Sequence, residues 1–248
     1  MKDDTKDFEL QCEKEIFAMM QDKKLMNKSL EYLNMTAEYN YSYHFKWMGL
    51  PIIQYPQDII SMQEIIFEVK PDFIIETGVA RGGSIVFYAS MLELFCEGNK
   101  KVIGIDIDIR EHNRRKIENH AMYKNICLIE GSSINNGVIA QVDAIIEKNN
   151  LKKGLVVLDS LHTHAHVLEE LRLYSKYVKK GSYLVVFDTA IEYVTPQNFN
   201  NRPWAKGNNP KTAVDAFLKE NNRFAVDENI ENKLLITTCP SGYLRCVK

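Results

Sequence analysis

Three clusters in this sequence have residue types and spacings that could do chemistry. The first is Glu76-Thr77-Gly78-Val79-Ala80-Arg81-Gly82-Gly83-Ser84. Glycine allows close backbone approach, and a helix starting behind it offers free N–H groups. Such a loop makes a pocket for a polar small molecule, although glycines after a strand are equally explained by turn chemistry. The spacing is GxxxGG, not the GxGxxG of a dinucleotide site. An acid directly before the glycines sits poorly beside a pyrophosphate and better beside a cationic ligand such as a sulfonium amino acid. Asp106 adds an acceptor suited to a ribose diol. The second cluster, Glu130-Gly131-Ser132-Ser133, could flank an adenine, or Ser133 could cap the helix that follows.

The third cluster is split between Asp159-Ser160-Leu161-His162-Thr163-His164-Ala165-His166 and Phe187-Asp188-Thr189. Two carboxylates on neighbouring strand tips can converge on a hard cation. Magnesium there would hold a substrate oxygen and lower its pKa, and a nearby histidine could take the proton. If a helix begins near Thr163, His162 and His166 lie at i and i+4, which leaves a zinc or iron pair open. For His164 and His166 the favoured reading is helix surface or packing. His162, at the loop–helix junction, is read as functional.

These clusters need elements to position them. The runs FIIET (73–77), KVIGID (101–106), ICLIE (126–130), LVVLD (155–159) and YLVVFD (183–188) read as strands buried on both faces. Amphipathic stretches at about 83–96, 111–121, 135–149 and 163–179 alternate with them. That alternation means a parallel sheet with right-handed crossovers. Ligands of such sheets bind at the carboxyl ends of the strands, where all three clusters fall. A helix at about 210–221, opened by Asn209-Pro210, precedes LLITT (234–238) and YLRCV (243–247), expected as a terminal antiparallel pair. Residues 7–39 read as helical, 39–57 as an irregular aromatic connection, and 59–69 as a helix ending before Pro71. The aromatic segment Tyr39 to Trp47 is expected to line the acceptor pocket or build a subunit contact. The loop 189–209 carries Tyr193, Arg202, Trp204 and Lys206 and reads as a lid, with simple packing of Trp204 as the alternative.

Composition sets outer bounds. The 248 residues hold 45% hydrophobic and 26% charged residues, enough for one large core with an extension. A net charge of −2, from 31 basic and 33 acidic residues, gives no reason to expect nucleic acid or an anionic membrane as partner. Five cysteines without a CxxC pair read as reduced thiols. The polar N-terminus and the lack of a long apolar run lead to an expectation of a cytoplasmic protein.

Taken together, the chain resembles the cephalosporin hydroxylase family, a branch of the S-adenosylmethionine methyltransferases that includes sugar O-methyltransferases. The matching blocks are GLPIIQYPQD (49–58), ETGVARGGSIVFYASMLEL (76–94), VIGIDIDIR (102–110), IEGSS (129–133), LDSLHTHAHVLEELRLY (158–174), RPWAKGNNPKTAV (202–214) and NKLLIT (232–237). The resemblance implies that Glu76, Gly78, Asp106 and Ser133 lie along the methyl-donor site. It implies that Asp159 and Asp188 ligate a divalent metal, usually magnesium. It places a catalytic base of an Asp-x-x-His pattern on Asp159 and His162, and it favours a homo-oligomer. One position departs: the family has an acid before the aspartate of the fifth strand tip, and this chain has Phe187. No flavin fingerprint accompanies the hydroxylase label.

The expected architecture is therefore α/β: a doubly wound, Rossmann-like methyltransferase domain over 58–248. It has a mostly parallel seven-stranded sheet with a terminal antiparallel strand, behind an N-terminal helical and aromatic extension, 1–57. The expected activity is S-adenosylmethionine-dependent O-methylation of a hydroxyl on a sugar, glycan or small natural product, with Mg2+ assistance. Expected donor contacts are Glu76, Thr77, Gly78, Gly82, Ser84, Asp106, Ser132, Ser133 and Asp159. His162 and Asp159 are the expected catalytic pair, and Asp159 and Asp188 the metal ligands. The rivals are an NAD-dependent oxidoreductase and a donor-binding scaffold with a crippled metal site.

Overall fold

The computed structural model describes residues 4–195 and 201–248. The chain starts with α1 (Thr5–Gln21) and α2 (Lys23–Ala37). The single helix expected over 7–39 breaks at Asp22. Its carboxylate accepts the backbone N–H of Lys24 and of Leu25, both at 3.0 Å, and so caps a new helix. The aromatic connection contains a 3-10 turn at Tyr41–His44 and a small antiparallel ribbon, β1 (Lys46–Trp47) with β2 (Leu50–Pro51). Helix α3 (Pro56–Val69) opens on its proline and stops at Lys70, in the left-handed region one residue before Pro71. The boundary expected after residue 57 falls inside α3.

The alternating region follows as β3 (Phe73–Thr77), α4 (Gly83–Phe95), β4 (Lys101–Asp106), α5 (Glu111–Glu118), β5 (Ile126–Glu130), α6 (Asn136–Lys148), β6 (Gly154–Leu158), α7 (His164–Tyr174) and β7 (Tyr183–Val186). Then come α8 (Pro210–Glu220), β8 (Phe224–Val226), α9 (Glu228–Leu234) and β9 (Tyr243–Cys246). The seven-stranded sheet has the order β5-β4-β3-β6-β7-β9-β8, and β9 runs against both of its neighbours. The central strands β3, β4, β6 and β7 feed both faces. Ile74, Val102, Leu155 and Val185 pack with Met62, Ile66, Phe87 and Leu92. Ile75, Ile103, Val156 and Leu184 pack with Val142, Leu171, Val214 and Phe217. Burial on both faces is why the strands read as unbroken apolar runs.

Two expected elements differ in the second half of the chain. LLITT is not a strand; its place beside β9 is taken by the three-residue β8. The buried carboxylate of Asp58 explains the loss. It accepts from the Thr237 hydroxyl, from the Thr238 backbone N–H (3.0 Å) and hydroxyl (3.1 Å), and from Tyr243 (2.9 Å). A backbone donor held by a carboxylate is lost to a ladder. The stretch 163–179 is also shorter as a helix: α7 ends at Tyr174 and a 3-10 turn covers Ser175–Tyr177. All five cysteines are free. No helix among the described residues is long and apolar enough to cross a membrane.

Candidate active site

The sheet order reverses beside β3, with β4 on one side and β6 on the other, and a cavity of about 860 Å³ opens at these strand tips. One end is built from backbone. Gly78 has φ +95°, and a Cβ there would stand 2.0 Å from the Asp159 carbonyl oxygen. Gly83 starts α4 so close to the β2 ribbon that a Cβ would meet the Pro51 carbonyl at 2.2 Å. The first glycine thus presses the loop against the tip of β6, and the second presses it against the aromatic connection. Asp106 ties the loop down. Its Oδ2 accepts the N–H of Val79 (2.9 Å) and Ala80 (3.1 Å), and its Oδ1 that of Asp108 (3.2 Å). Asn113 donates to the Ala80 carbonyl at 2.9 Å, a brace that no sequence motif signalled.

Glu76 and Thr77 are fully buried and lie off the cavity wall, whereas Gly78, Gly82, Ser84, Asp106, Ser132, Ser133 and Asp159 line it. Glu76 reaches the wall through Ser84, which donates to Glu76 Oε2 at 2.8 Å. Burial pushes the Glu76 carboxyl up to about 8; the Ser84 hydrogen bond opposes this and the Asp106 charge adds to it. Near neutrality this acid is therefore largely protonated, not the standing anion its sequence position suggested. Glu76 Oε1 and the cavity-lining Gln54 Oε1 are buried without partners. The unpaired Gln54 oxygen on the cavity wall fits a ligand carrying an ammonium group. Gln54 had no chemical signal of its own in the sequence.

The other end is built from side chains. Asp159 follows β6, and its N–H donates to the Thr77 carbonyl at 2.9 Å. Burial and then the charge of Asp188 push the Asp159 carboxyl well above the usual carboxylate range. Asp188 lies two residues beyond β7 in a left-handed conformation, φ 57°, uncommon for a residue with a side chain. His162 Nε2 is 3.2 Å from Asp188 Oδ2. One ligand atom each of Asp159, His162 and Asp188 lie within 4.8 Å of one another. Phe187 is buried in the core cluster and lines the same cavity, and it adds no donor to the group of Asp159, His162 and Asp188. A carboxylate raised by a second carboxylate is relieved by a cation, so Asp159, Asp188 and His162 fit a divalent ion.

The expected lid splits into parts. A 3-10 turn covers Thr189–Glu192, and residues 196–200 lie outside the described residues. Glu192 anchors the far part by accepting from Gly207 N–H (2.9 Å) and Asn209 Nδ2 (2.6 Å). Trp204 stands edge-on to the His162 ring, centroids 4.8 Å apart, and Arg202 stacks 5.2 Å over Trp204. Asn40, Tyr41, Ser42 and Tyr43 close the cavity from the N-terminal side.

Three histidines separate cleanly. His164 is a packing residue, its Nδ1 2.8 Å from Thr212 Oγ1 on α8. His162 precedes α7, so the i, i+4 metal pair with His166 does not form; His162 faces Asp188 while His166 Nε2 contacts Ser133 Oγ at 3.0 Å. His166 is not on the helix surface, since it lines the cavity. Its sequence spacing was correct for α7, but which face of α7 met the β5 tip depended on packing. Ser133 does not cap α6; Asn135 does, through Gly137 N–H at 2.7 Å.

The strand order with its single reversed strand, and the glycine turn opposite an acidic β4 tip, define a Rossmann-like methyltransferase. The family model for Rhamnosyl O-methyltransferase/CmcI matches residues 39–247, and the chain belongs to that family. Similar curated proteins include the Rhamnosyl O-methyltransferase of Mycobacterium tuberculosis (strain ATCC 25618 / H37Rv), 29% identical over 80% of this chain and 76% of that one. The protein of the same name from Mycobacterium leprae (strain TN) is 29% identical over 80% and 81%. Among solved structures, cmcI-D160 with Mg and SAM superposes with a TM-score of 0.55 at 19% identity, covering 83% of this chain and 78% of that one. The O-methyltransferase from Bacillus cereus in complex with SAH gives 0.53 at 15%, covering 89% and 91%. At these identities the structures speak for the fold.

Proposed function

We propose that this O-methyltransferase takes its methyl group from S-adenosylmethionine and delivers it to a hydroxyl of a sugar, glycan or small natural product. The single observation that carries the site assignment is the His162–Asp188 pair beside Asp159, in the same cavity as the glycine loop. The names of the mycobacterial relatives support a sugar hydroxyl as acceptor. When bound, S-adenosylmethionine supplies an electrophilic methyl carbon on a positively charged sulfur. Gly78, Gly82 and Ser84 form its bed, Asp106 faces the ribose, and Ser132 and Ser133 border the base. Glu76 acts from behind through Ser84, and Thr77 holds Asp159 through its carbonyl.

Asp188 accepts the Nε2–H of His162, which leaves Nδ1 with its lone pair as the basic atom. His162 then takes the proton of the acceptor hydroxyl as the oxygen attacks the methyl carbon. Trp204 fixes the imidazole edge-on and keeps water from it. Asp159 and Asp188 are the carboxylates that would hold a divalent cation, which lowers the pKa of a nearby hydroxyl. Because the donor is already activated, positioning supplies much of the catalysis.

The test is an assay of the purified protein with S-adenosylmethionine and a panel of sugar acceptors, read by mass spectrometry for the gain of one methyl group. A methylated hydroxyl is expected, with activity falling in chelator and returning with magnesium. Full activity in excess chelator removes the cation from the mechanism. No product with any acceptor, together with tighter binding of NAD than of S-adenosylhomocysteine, overturns the reading.

A further inference from the structure

Around His162, the loop between β7 and α8 presents the cavity with an arginine that no acid among the described residues neutralises. Arg202 lines the cavity, and its guanidinium carbon stands 5.2 Å over the Trp204 ring. Trp204 in turn stands 4.8 Å from the His162 ring. Laid end to end, 4.8 Å and 5.2 Å put the guanidinium carbon at most about 10 Å from the His162 ring. Stacking on an aromatic face holds the plane of a guanidinium and leaves its N–H edge free. Arg202 makes no hydrogen bond or ion pair among the described residues. Glu192, an acid of the same loop, is occupied by Gly207 N–H and Asn209 Nδ2.

The carboxylates of the cavity are all engaged elsewhere. Among the described residues, Asp106, Asp159 and Asp188 are the carboxylates that line it. Asp106 accepts the N–H groups of Val79, Ala80 and Asp108. Asp159 and Asp188 form the cluster with His162. None is left for the hydroxyls of a sugar beyond the one that reacts. Each such hydroxyl brings a proton that needs an acceptor, and an ionised carboxylate is the acceptor-only side chain. A guanidinium is the reverse, with five N–H groups and no acceptor. The wall beside the base therefore suits a group with lone pairs and negative charge better than a further face of hydroxyls. The reach agrees, since a hydroxyl at His162 and an anion on the same sugar, or one linkage beyond it, span that separation.

We propose that Arg202 selects an acidic acceptor: a sugar carrying an oxyanion, phosphate or carboxylate, on the methylated ring or on the next group along. The guanidinium fork takes two oxygens of that anion and sets the ring so that one hydroxyl meets His162. This rests on the methyl-transfer reading above and narrows its acceptor class.

The experiment is calorimetric titration of the intact protein, first with S-adenosylhomocysteine and then, in its presence, with glucose 1-phosphate, glucuronic acid and methyl glucoside. These three probes share a ring and differ in charge. At least one of the two anions should bind about 10-fold more tightly than methyl glucoside, the scale of one charge-assisted pair at an open site. The tighter anion identifies the source, a glycosyl phosphate or a uronic acid. Arg202→Ala should bring it within about twofold of methyl glucoside. Arg202→Lys keeps the charge without the fork and should keep part of the preference. Added salt should weaken the anion in the wild type and leave the Arg202→Ala protein nearly unchanged. Arg202 is exposed, so its replacement should leave the fold intact, with thermal melting as the control. Methyl glucoside binding as tightly as both anions, no binding of any probe, or an Arg202→Ala protein that keeps the wild-type preference overturns the inference. Where S-adenosylhomocysteine still binds, the donor reading survives each of these outcomes. Where it does not bind either, both fall.

Discussion

The two ends of the cavity are made differently. The glycine-loop end uses backbone amides held by Asp106 and Asn113, and a Cβ at Gly78 or Gly83 would collide with carbonyl oxygens. The Asp159 end uses side chains from two connections: β6–α7 gives Asp159 and His162, and β7–α8 gives the left-handed Asp188 and the tryptophan packed on the histidine. A backbone-built end recognises what every turnover shares, the donor. A side-chain-built end can change its acceptor by substitution without disturbing the sheet. The join between them is narrow: Gly78 touches the Asp159 carbonyl, and Thr77 receives the Asp159 N–H.

The largest expected effect separates the ends. His162→Ala should lower turnover by roughly 10²–10⁴-fold, the usual range for a lost general base. Its affinity for S-adenosylhomocysteine should stay within about twofold, because His162 belongs to the other end. Stopped turnover assays beside calorimetry measure both. Normal turnover at saturating acceptor across pH 6–9 would hand the base role to Asp159.

Gly78→Ala should break the separation. The added Cβ meets the Asp159 carbonyl, and φ +95° is strained for alanine, so a stability loss on the order of 1–3 kcal/mol is expected. Unlike the histidine variant, it should lower donor affinity and turnover together. A variant that loses only one of the two shows that the ends are not coupled through this contact.

Asp106→Ala comes next, and it tests how far the sequence could be read. The acid at the β4 tip was legible as a ribose partner. Its three backbone hydrogen bonds were not, since they depend on where the glycine loop folds back. Loss of about 1–3 kcal/mol of donor binding follows from either role. Only the loop-holding role predicts faster amide exchange at Val79 and Ala80 in the ligand-free protein. The same divide runs through the chain. The buried strands were legible because period and apolarity are local, and Asn209-Pro210 because a capping box is local. The strand mistakenly read at LLITT, the cavity position of His166 and the placement of the Gln54 amide were set by partners far away in sequence: Asp58, Ser133 and Tyr88. Phe187 was legible as a departure, and His162 as a partner of the two carboxylates; that its Nε2 meets Asp188 at 3.2 Å needed the fold.

The smallest effect concerns the acid beneath the glycine-loop end. Glu76 holds its proton up to about 8 in the folded chain and to its ordinary 4.5 when unfolded. Between those values the folded state binds more protons, so stability falls as pH rises from near 4.5 through about 8. The cause is burial: ionising Glu76 strands a charge with only Ser84 to solvate it. Glu76→Gln keeps the Ser84 partner and removes the titration. Urea unfolding at pH 4, where the acid is protonated in both states, should find variant and wild type within about 1 kcal/mol, because a protonated acid and an amide are similar groups. At pH 9 the variant should be the more stable, the gap having opened steadily between the unfolded and the folded pKa of Glu76. A difference that does not change between these pH values means that Glu76 is already ionised in the fold, solvated by something other than Ser84. Saturating S-adenosylhomocysteine sharpens the point. If its ammonium reaches the free oxygens of Glu76 and Gln54, the ionised acid gains a partner and the wild-type loss of stability towards pH 9 should shrink. The Gln variant has no ionised acid to relieve, so its pH profile should keep its shape.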